Sequence, residues 1–159
     1  MKAVLDTSAF IYLNNFRMFE KVYTVTDVLD EVKDRISSLK LSGIEMKVLE
    51  PAEKSVNEIK LAAKETGDIS KLSKTDIKVL ALAKEKGLVL VSDDYNVQNV
   101  AEKIGIDYIS LFNKRITKLV KWGNYCINCE KFYGKKICPK CGNVLTKRRV
   151  SEEFINKQN

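Results

Sequence analysis

Short apolar runs alternate with stretches of helical periodicity over the first 110 residues of the chain. This alternation is typical of a parallel sheet covered by helices, so we predict an α/β domain with a central parallel sheet. Strands are predicted over residues 2–5, 21–25, 46–49, 88–91 and 107–109. The intervening helices are predicted over residues 27–40, 52–64, 74–86 and 94–104.

The helix predicted over 74–86 has the clearest boundary signals. Ser73 can cap its first turn, and Gly87 can end it in a left-handed conformation. Gly67 and Gly105 are similarly placed to end two of the other helices. These signals make the order of elements in the first domain well defined.

The remainder of the chain divides by composition into three parts. Residues 111–121 are basic and lack turn signals, so we expect a helical or extended connector rather than a flexible linker. A cysteine-containing module covers 122–150, and residues 151–159 are expected to fray. No apolar run is long enough to span a bilayer and no signal peptide is recognisable, so we expect a cytoplasmic protein with no membrane partner.

The net charge of +7 is concentrated in the cysteine-containing module. Residues 1–120 contain 19 lysines and arginines against 18 acidic residues, whereas residues 121–150 contain 8 against 1. A basic surface of this kind favours phosphate backbones, although a solvated surface has the same composition. The chain has no histidine, so hydrolytic chemistry must use carboxylates, most simply through bound metal ions.

The four cysteines have the spacing C-x2-C, eight residues, C-x2-C. They are Cys126, Cys129, Cys138 and Cys141. Two such turns present four thiolates in the tetrahedron that zinc prefers, and a module of this size needs the metal in order to fold. Disulfides and a redox C-x2-C pair are the alternatives, which a cytosolic compartment and the lack of a surrounding βαβ unit disfavour. The sequence therefore predicts one structural zinc ion.

Cations and aromatic residues interleave in the same module, as in proteins that bind single-stranded RNA. At least one of its three aromatic residues, which include Tyr125, is expected to pack under the zinc site. The predicted RNA-binding residues are Lys131, Phe132, Tyr133, Lys135, Lys136, Lys140, Lys147, Arg148 and Arg149.

Acidic residues are placed at strand ends and helix starts in the first domain. Asp6 follows the first strand, Asp94 and its neighbour Asp93 follow the fourth, and Asp76 and Glu31 are expected in the first turns of helices. Each has a structural alternative, as a helix cap or as part of a solvated face. Together they can converge at the carboxyl edge of one sheet, where their mutual repulsion would be relieved by Mg²⁺ or Mn²⁺.

Residues 2–145 resemble the Nob family of small-subunit rRNA maturation endonucleases, and the first domain resembles a PIN domain. The resemblance rests on the four-cysteine ribbon and on four segments: Val-Leu-Asp6-Thr-Ser-Ala-Phe, Val-Leu-Asp-Glu31-Val-Lys-Asp-Arg, Thr66-Gly-Asp-Ile-Ser-Lys-Leu-Ser-Lys-Thr-Asp76-Ile-Lys-Val-Leu-Ala-Leu-Ala and Val91-Ser-Asp-Asp94-Tyr-Asn-Val-Gln-Asn-Val-Ala. The chain lacks the insertions of eukaryotic members, which favours the compact archaeal type.

The resemblance implies an RNA endonuclease in which Asp6, Glu31, Asp76 and Asp94 hold divalent metal ions. Asp94 fits the family's strand-end pattern, two residues after Ser92, and Asp93 is the alternative. The implied substrate is the precursor rRNA of the small ribosomal subunit, cut to give its mature 3′ end. Two other functions stay open: a toxin-type PIN ribonuclease acting on tRNA or mRNA, and a non-catalytic rRNA-binding assembly factor.

Overall fold

The computed structural model describes residues 1–13, 16–32 and 45–155. The first domain contains five strands and five helices within these ranges. In chain order they are β1 (Lys2–Leu5), α1 (Thr7–Tyr12), β2 (Lys21–Thr24), α2 (Thr26–Glu31), β3 (Glu45–Val48), α3 (Glu53–Thr66), α4 (Lys74–Lys86), β4 (Val89–Val91), α5 (Tyr95–Lys103) and β5 (Tyr108–Ile109), with a short 3₁₀ turn over Phe16–Met18.

The five strands form one parallel sheet in the order β3-β2-β1-β4-β5. The predicted fold class is confirmed. From β1 the chain continues to β2 and β3 on one side of the sheet, and from β4 it continues to β5 on the other side. The direction of strand succession therefore reverses between β1 and β4. In open parallel sheets the crevice outside the carboxyl ends of such strands is the favoured ligand site. Asp6 and Asp94 follow β1 and β4.

Helices α3 and α4 begin and end close to their predicted boundaries. Helix α4 has a complete capping box, in which the Ser73 hydroxyl accepts from Asp76 N and the Asp76 carboxylate accepts from Ser73 N. Gly67 and Gly87 end the two helices with φ of 83° and 60°. The strand boundaries differ from the predicted ones by one residue or less, which is the usual uncertainty of element ends.

The local structure differs from the predicted one in three helices of the first domain. Helix α1 was not expected; it forms because Asp6 caps the turn that follows β1. Helix α2 begins at Thr26, so Glu31 is its last residue rather than part of its first turn, and the predicted continuation over 33–40 lies outside the described residues. Helix α5 begins at Tyr95, one residue later than predicted, because Asp94 is its N-cap and accepts from the amides of Asn96 and Val97.

The C-terminal module is a three-stranded antiparallel sheet in the order β7-β6-β8. Its strands are β6 (Lys118–Cys126), β7 (Lys131–Tyr133) and β8 (Thr146–Phe154). The boundaries predicted at 121/122 and 150/151 therefore fall inside strands. Residues 151–154 were expected to fray, but they pair with 118–121 and are held by that ladder. The part of the tail beyond Ile155 lies outside the described residues.

Two amides on α5 fasten this module to the first domain. Asn99 accepts from Val120 N at 2.8 Å and donates both to Val120 O and to Asp68, at 2.7 Å each. The fully buried Gln98 donates to Ser92 O and accepts from Ile116 N. The connector is a strand only from Lys118 onwards, and these two amides tie it to the domain at Ile116 and Val120. No helix in the described parts of the chain has the length and apolar character needed to cross a bilayer.

Candidate active site and cysteine cluster

Asp6 lies at the carboxyl end of β1 and is only 6% exposed. Its Oδ1 accepts from Ala9 N at 2.7 Å and from the Ser8 hydroxyl at 2.8 Å. Burial raises the pKa of Asp6, the hydrogen bonds from Ser92, Ala9 and Ser8 oppose that shift, and the charge of Asp76 adds to it. A buried carboxylate of this kind favours a nearby cation over an isolated negative charge.

Glu31 joins two of the elements that carry the other acidic residues. Its Oε2 accepts from the Thr7 hydroxyl at 2.7 Å, and its Oε1 accepts from the Thr75 hydroxyl at 3.0 Å. Thr7 follows Asp6 and Thr75 precedes Asp76 in the chain. The end of α2 is thus held next to the first turns of α1 and α4, and three of the predicted acidic residues are brought together.

Asp76 is both a helix cap and a member of this group. Its carboxylate accepts from Ser73 N at 2.7 Å. Burial raises the pKa of Asp76, its bonds to Ser73 oppose the shift, and the charges of Asp94 and Glu31 raise it further. The capping alternative and the site prediction therefore describe the same residue.

Ser92 lies beside both Asp94 and Asp6. Its hydroxyl accepts from Asp94 N at 3.3 Å, and its proximity to Asp6 lowers the pKa of that carboxyl. Oδ1 of Asp94 accepts from Asn96 N at 2.6 Å, which holds the carboxylate over the start of α5. Asp6, Glu31, Asp76 and Asp94 therefore share the edge where β1 and β4 end.

Asp93 is directed elsewhere, towards the loop after β5. Its Oδ1 accepts from the Ser110 hydroxyl and from three consecutive amides, those of residues 111, 112 and 113, at 3.0 to 3.1 Å. Burial acts against it, but these hydrogen bonds hold the pKa of Asp93 below its ordinary value. The Asp93 carboxylate holds the loop over residues 110–113. This arrangement favours Asp94, rather than Asp93, as the fourth acid beside Asp6, Glu31 and Asp76.

The donor set of the acidic edge fits a hard divalent cation. Among the described residues, only the cysteines place three or more ligand atoms within 4.8 Å of one another, so the carboxylates stand further apart than a closed all-protein cage requires. Mg²⁺ keeps several of its waters and binds through one or two carboxylates, which suits this open spacing.

The four cysteines form one compact cluster of free thiols. Sγ of Cys126 lies 3.5 Å from Sγ of Cys141, and Sγ of Cys138 lies 3.8 Å from Sγ of Cys129. These separations exclude disulfide bonds, and they match the edge of about 3.8 Å that a tetrahedron with metal–sulfur bonds of about 2.3 Å has. The cluster fits a zinc ribbon.

Backbone geometry around the cluster supports the sulfurs. Cys129 N donates to Cys126 Sγ at 3.4 Å, and Gly142, with φ of 76°, makes the turn that returns its amide to Cys138 O. Contact with Cys141, together with burial, raises the pKa of Cys129 to about 12. Sulfurs crowded in this way are stabilised as thiolates by a metal ion.

The predicted RNA-binding residues do not form a single patch. All are exposed except Tyr133, which is half-buried; burial and the nearby Cys138 and Cys129 raise the pKa of Tyr133, so it lies beside the cysteine cluster. Arg148 lies over the Tyr125 ring at 4.5 Å, on one face of the ribbon sheet. Lys147 lies on the other face and donates to Gly67 O at 2.9 Å, in the first domain. The alternation of side chains along β8 causes this division.

Sequence reasoning missed several polar residues that build the site. The hydroxyls of Thr7, Thr75 and Ser92 connect the acidic residues, and short polar side chains beside an acid were the available signal. Asp68 is 1% exposed and bonded to Asn99. Burial raises the pKa of Asp68, Asn99, Thr66 and Lys147 oppose the shift, and Asp94 adds to it.

The chain is similar to known ribonucleases in sequence. A family model described as the PIN domain of ribonuclease matches residues 3–85, which include Asp6, Glu31 and Asp76. Endoribonuclease Nob1 of Archaeoglobus fulgidus is 40% identical over 155 residues, covering 94% of this chain and 92% of the relative. The protein of the same name from Pyrococcus abyssi is 40% identical, covering 91% and 92%, and that from Methanocaldococcus jannaschii is 33% identical, covering 98% and 81%.

The doubly wound sheet, the acidic edge and the family match define a PIN-domain ribonuclease, an enzyme class that hydrolyses RNA. The alignments cover 92% of the length of the Archaeoglobus fulgidus and Pyrococcus abyssi proteins. It belongs to the endoribonuclease Nob1 family.

Proposed function

We propose that this protein is a divalent-metal-dependent endoribonuclease that cuts precursor small-subunit rRNA to generate its mature 3′ end. The observation that carries the proposal is that Asp6, Glu31, Asp76 and Asp94 lie together at the edge where β1 and β4 end. Glu31 is held there by the hydroxyls of the residues next to Asp6 and Asp76 in the chain. The 40% identity to proteins named endoribonuclease Nob1 supports the choice of substrate.

The four carboxylates are the proposed ligands of Mg²⁺ or Mn²⁺. A bound ion of this kind supplies an activated water as nucleophile and stabilises the leaving oxygen. The chain's own part is positioning: Ala9 N and Ser8 orient the Asp6 carboxylate, and Thr7 and Thr75 orient Glu31. Both donors to Asp6 act on Oδ1, whereas Glu31 accepts one hydrogen bond on each oxygen, so each carboxylate is held in place and keeps acceptor capacity for a metal ion.

The zinc ribbon is proposed to anchor the RNA. Four thiolates around one Zn²⁺ would organise a module that has few buried side chains of its own. The exposed lysines and arginines of the ribbon would contact phosphates. The Arg148 guanidinium lies over the Tyr125 ring and gives the ribbon a planar cationic surface. Asn99 fixes β6 to the first domain, so the RNA-binding charges have a defined position relative to the acidic edge.

Two alternative functions predict a different substrate or no cleavage. A toxin-type ribonuclease would cut tRNA or mRNA, and the zinc ribbon does not fit that lone-domain type. A non-catalytic assembly factor would bind precursor rRNA without cutting it, and the intact acidic set argues against a loss of activity.

The substrate proposal is tested by cleavage of an RNA that spans the 3′ end of small-subunit rRNA. The zinc-loaded protein is incubated with this RNA, a tRNA and an unrelated single strand of equal length, with Mg²⁺, with Mn²⁺ and with neither. We expect one cut at the mature 3′ end, dependent on the added ion. Preferential cleavage of the tRNA would support the toxin-type alternative, and tight binding without cleavage would support the assembly factor.

A further inference from the structure

A cavity of about 130 Å³ opens where the zinc ribbon packs against the first domain. We call it the seam cavity; it is lined by Gly67, Asp68, Lys71, Asn96, Trp122 and Lys147. We propose that the seam cavity binds one nucleotide of the RNA strand, with its base against Trp122 and its phosphate beside Lys71 and Lys147. This inference rests on the proposed ribonuclease function and names a substrate subsite for it.

The fold brings Trp122 to this place through two unusual features. Gly67 ends α3 with φ of 83°, and a Cβ built on it would lie 2.2 Å from Trp122 O. The register of β6 and β8 shifts between Lys121 and Trp122. Irregularities of this type bend a strand and redirect a side chain, and they are common next to active sites. The close approach at Gly67 and the register shift both occur where Trp122 joins the lining of the cavity.

The lining has the chemistry of a single-stranded nucleic-acid subsite. Trp122 is 37% exposed, and Lys71 and Lys147 are exposed beside it. The Lys147 ammonium donates one hydrogen bond to Gly67 O at 2.9 Å. This bond fixes its position and leaves two N–H groups for a phosphate. Asp68 is buried and bonded to Asn99, so its carboxylate does not face the proposed phosphate as a free charge. Aromatic faces flanked by cations bind bases with little sequence preference.

The position of the cavity connects it to the acidic edge. Asn96 lines the cavity and donates to Asp94 Oδ1 from its backbone N at 2.6 Å and from its side chain at 3.0 Å. One side chain therefore separates the cavity from a proposed metal ligand. A base held on Trp122 would belong to a nucleotide near the scissile phosphate, so the subsite would position the strand for cleavage.

The test uses the single tryptophan of the chain, Trp122, as its own reporter. The zinc-loaded, full-length protein is titrated with short oligoadenylate without added Mg²⁺ or Mn²⁺, and the strand is checked for integrity by gel. A sugar–phosphate strand of equal length without bases is titrated in parallel. We expect saturable quenching of Trp122 emission by oligoadenylate and no quenching by the base-free strand.

Variants separate stacking from charge. Because the Trp122 variants lack the reporter, binding by all variants is measured by the anisotropy of end-labelled oligoadenylate. Trp122→Ala should weaken binding about tenfold, Trp122→Phe much less, and Phe154→Ala, an exposed aromatic elsewhere on the ribbon, not at all. Lys71→Gln should weaken the binding of both strands, whereas Lys60→Gln, an exposed lysine on α3, should weaken neither. Zinc content and circular dichroism report whether each variant is folded.

The outcomes distinguish this subsite from the nuclease proposal. Saturating RNA that leaves Trp122 emission unchanged, or RNA that does not bind, overturns the subsite even if Trp122→Ala fails to fold. Cleavage of RNA without quenching would overturn the subsite alone. Quenching without cleavage under any metal would support the subsite and contradict the nuclease proposal.

Discussion

Gly67→Ala tests whether the zinc ribbon is packed on the first domain in solution, and Gly87→Ala is its matched control. Both glycines end a helix in the left-handed region, which costs alanine about 1–2 kcal/mol. The reduced entropy of the unfolded chain offsets about 0.4–1 kcal/mol of this. Nothing lies within 4 Å of a Cβ at position 87. We therefore expect Gly87→Ala to lower the free energy of unfolding by about 1 kcal/mol.

At position 67 the same Cβ meets Trp122 O at 2.2 Å and Trp122 C at 2.8 Å. These are backbone atoms that no rotamer change can move. Overpacking adds about 1–3 kcal/mol, so Gly67→Ala should lose about 2–4 kcal/mol in total. The alternative is that β6 moves away, which would change the emission of Trp122 in the native protein.

The assay is equilibrium denaturant unfolding, followed by circular dichroism and by Trp122 fluorescence. We expect a larger loss for Gly67→Ala than for Gly87→Ala, by about 1 kcal/mol or more, together with altered native emission in Gly67→Ala only. Equal losses with unchanged emission would refute the packing of the ribbon on Gly67.

Three further predictions concern the joint and the metal cluster. Asn99→Ala should lower the free energy of unfolding by about 3 kcal/mol or more, because it removes the bonds to both backbone groups of Val120 and the amide that bonds to the buried Asp68. Asn124→Ala removes one bond and should cost about 0.5–1.5 kcal/mol; equal losses would contradict the role of Asn99 in joining the two modules. Burial raises the pKa of Asp68, so the folded protein binds that proton more tightly than the unfolded chain. The part of the stability that Asp68 contributes should therefore fall as pH rises above about 3.8 until the folded-state pKa is passed. Asp68→Asn should remove this part of the slope, and identical pH profiles would contradict it. Chelation should abolish the amide dispersion of the ribbon in NMR spectra and spare the first domain, and a ribbon spectrum that survives chelation would contradict metal-dependent folding.

The sheet and most of its helices were predictable because their signals are local. Apolar runs set the strands, and Ser73, Gly67 and Gly87 set helix ends where capping chemistry demands them. Helix α1 was missed because its six residues carry little periodicity and its cap, Asp6, was read only as a site residue. The end of α2 at Glu31 was missed because helical periodicity in the sequence continues past it.

The ribbon shows where local reasoning fails. The cysteine spacing predicted the cluster, because ligand geometry is written in the sequence. The strand partners of residues 118–121 and 151–154 were not predicted, because antiparallel pairing across the cluster depends on a distant segment. Removing residues 122–159 would cut β6, so variants of single residues are the sharper test of RNA anchoring.

The sequence indicated that the acidic residues would lie at one sheet edge, but it did not indicate the hydrogen bonds that hold them there. Strand ends and helix starts pointed to Asp6, Asp76 and Asp94. The hydroxyl bridge from Thr7 through Glu31 to Thr75 joins three elements that are remote in the chain. No pattern in a single sequence shows such a bridge.

The most direct test of the central claim is single-turnover cleavage by Asp6→Asn with Mg²⁺ or Mn²⁺. Asparagine can still accept from Ala9 N as the N-cap of α1, but it lacks the charge that holds a divalent ion. We predict a folded protein with unchanged RNA affinity and a cleavage rate lowered by more than about a hundredfold. Loss of a residue that only hydrogen-bonds to a metal ligand usually lowers activity by about 10- to 100-fold, so a larger effect indicates loss of a ligand itself. Asp93→Asn, which alters the loop over 110–113, should reduce the rate more mildly. Full activity in a folded Asp6→Asn protein would contradict the carboxylate–metal mechanism.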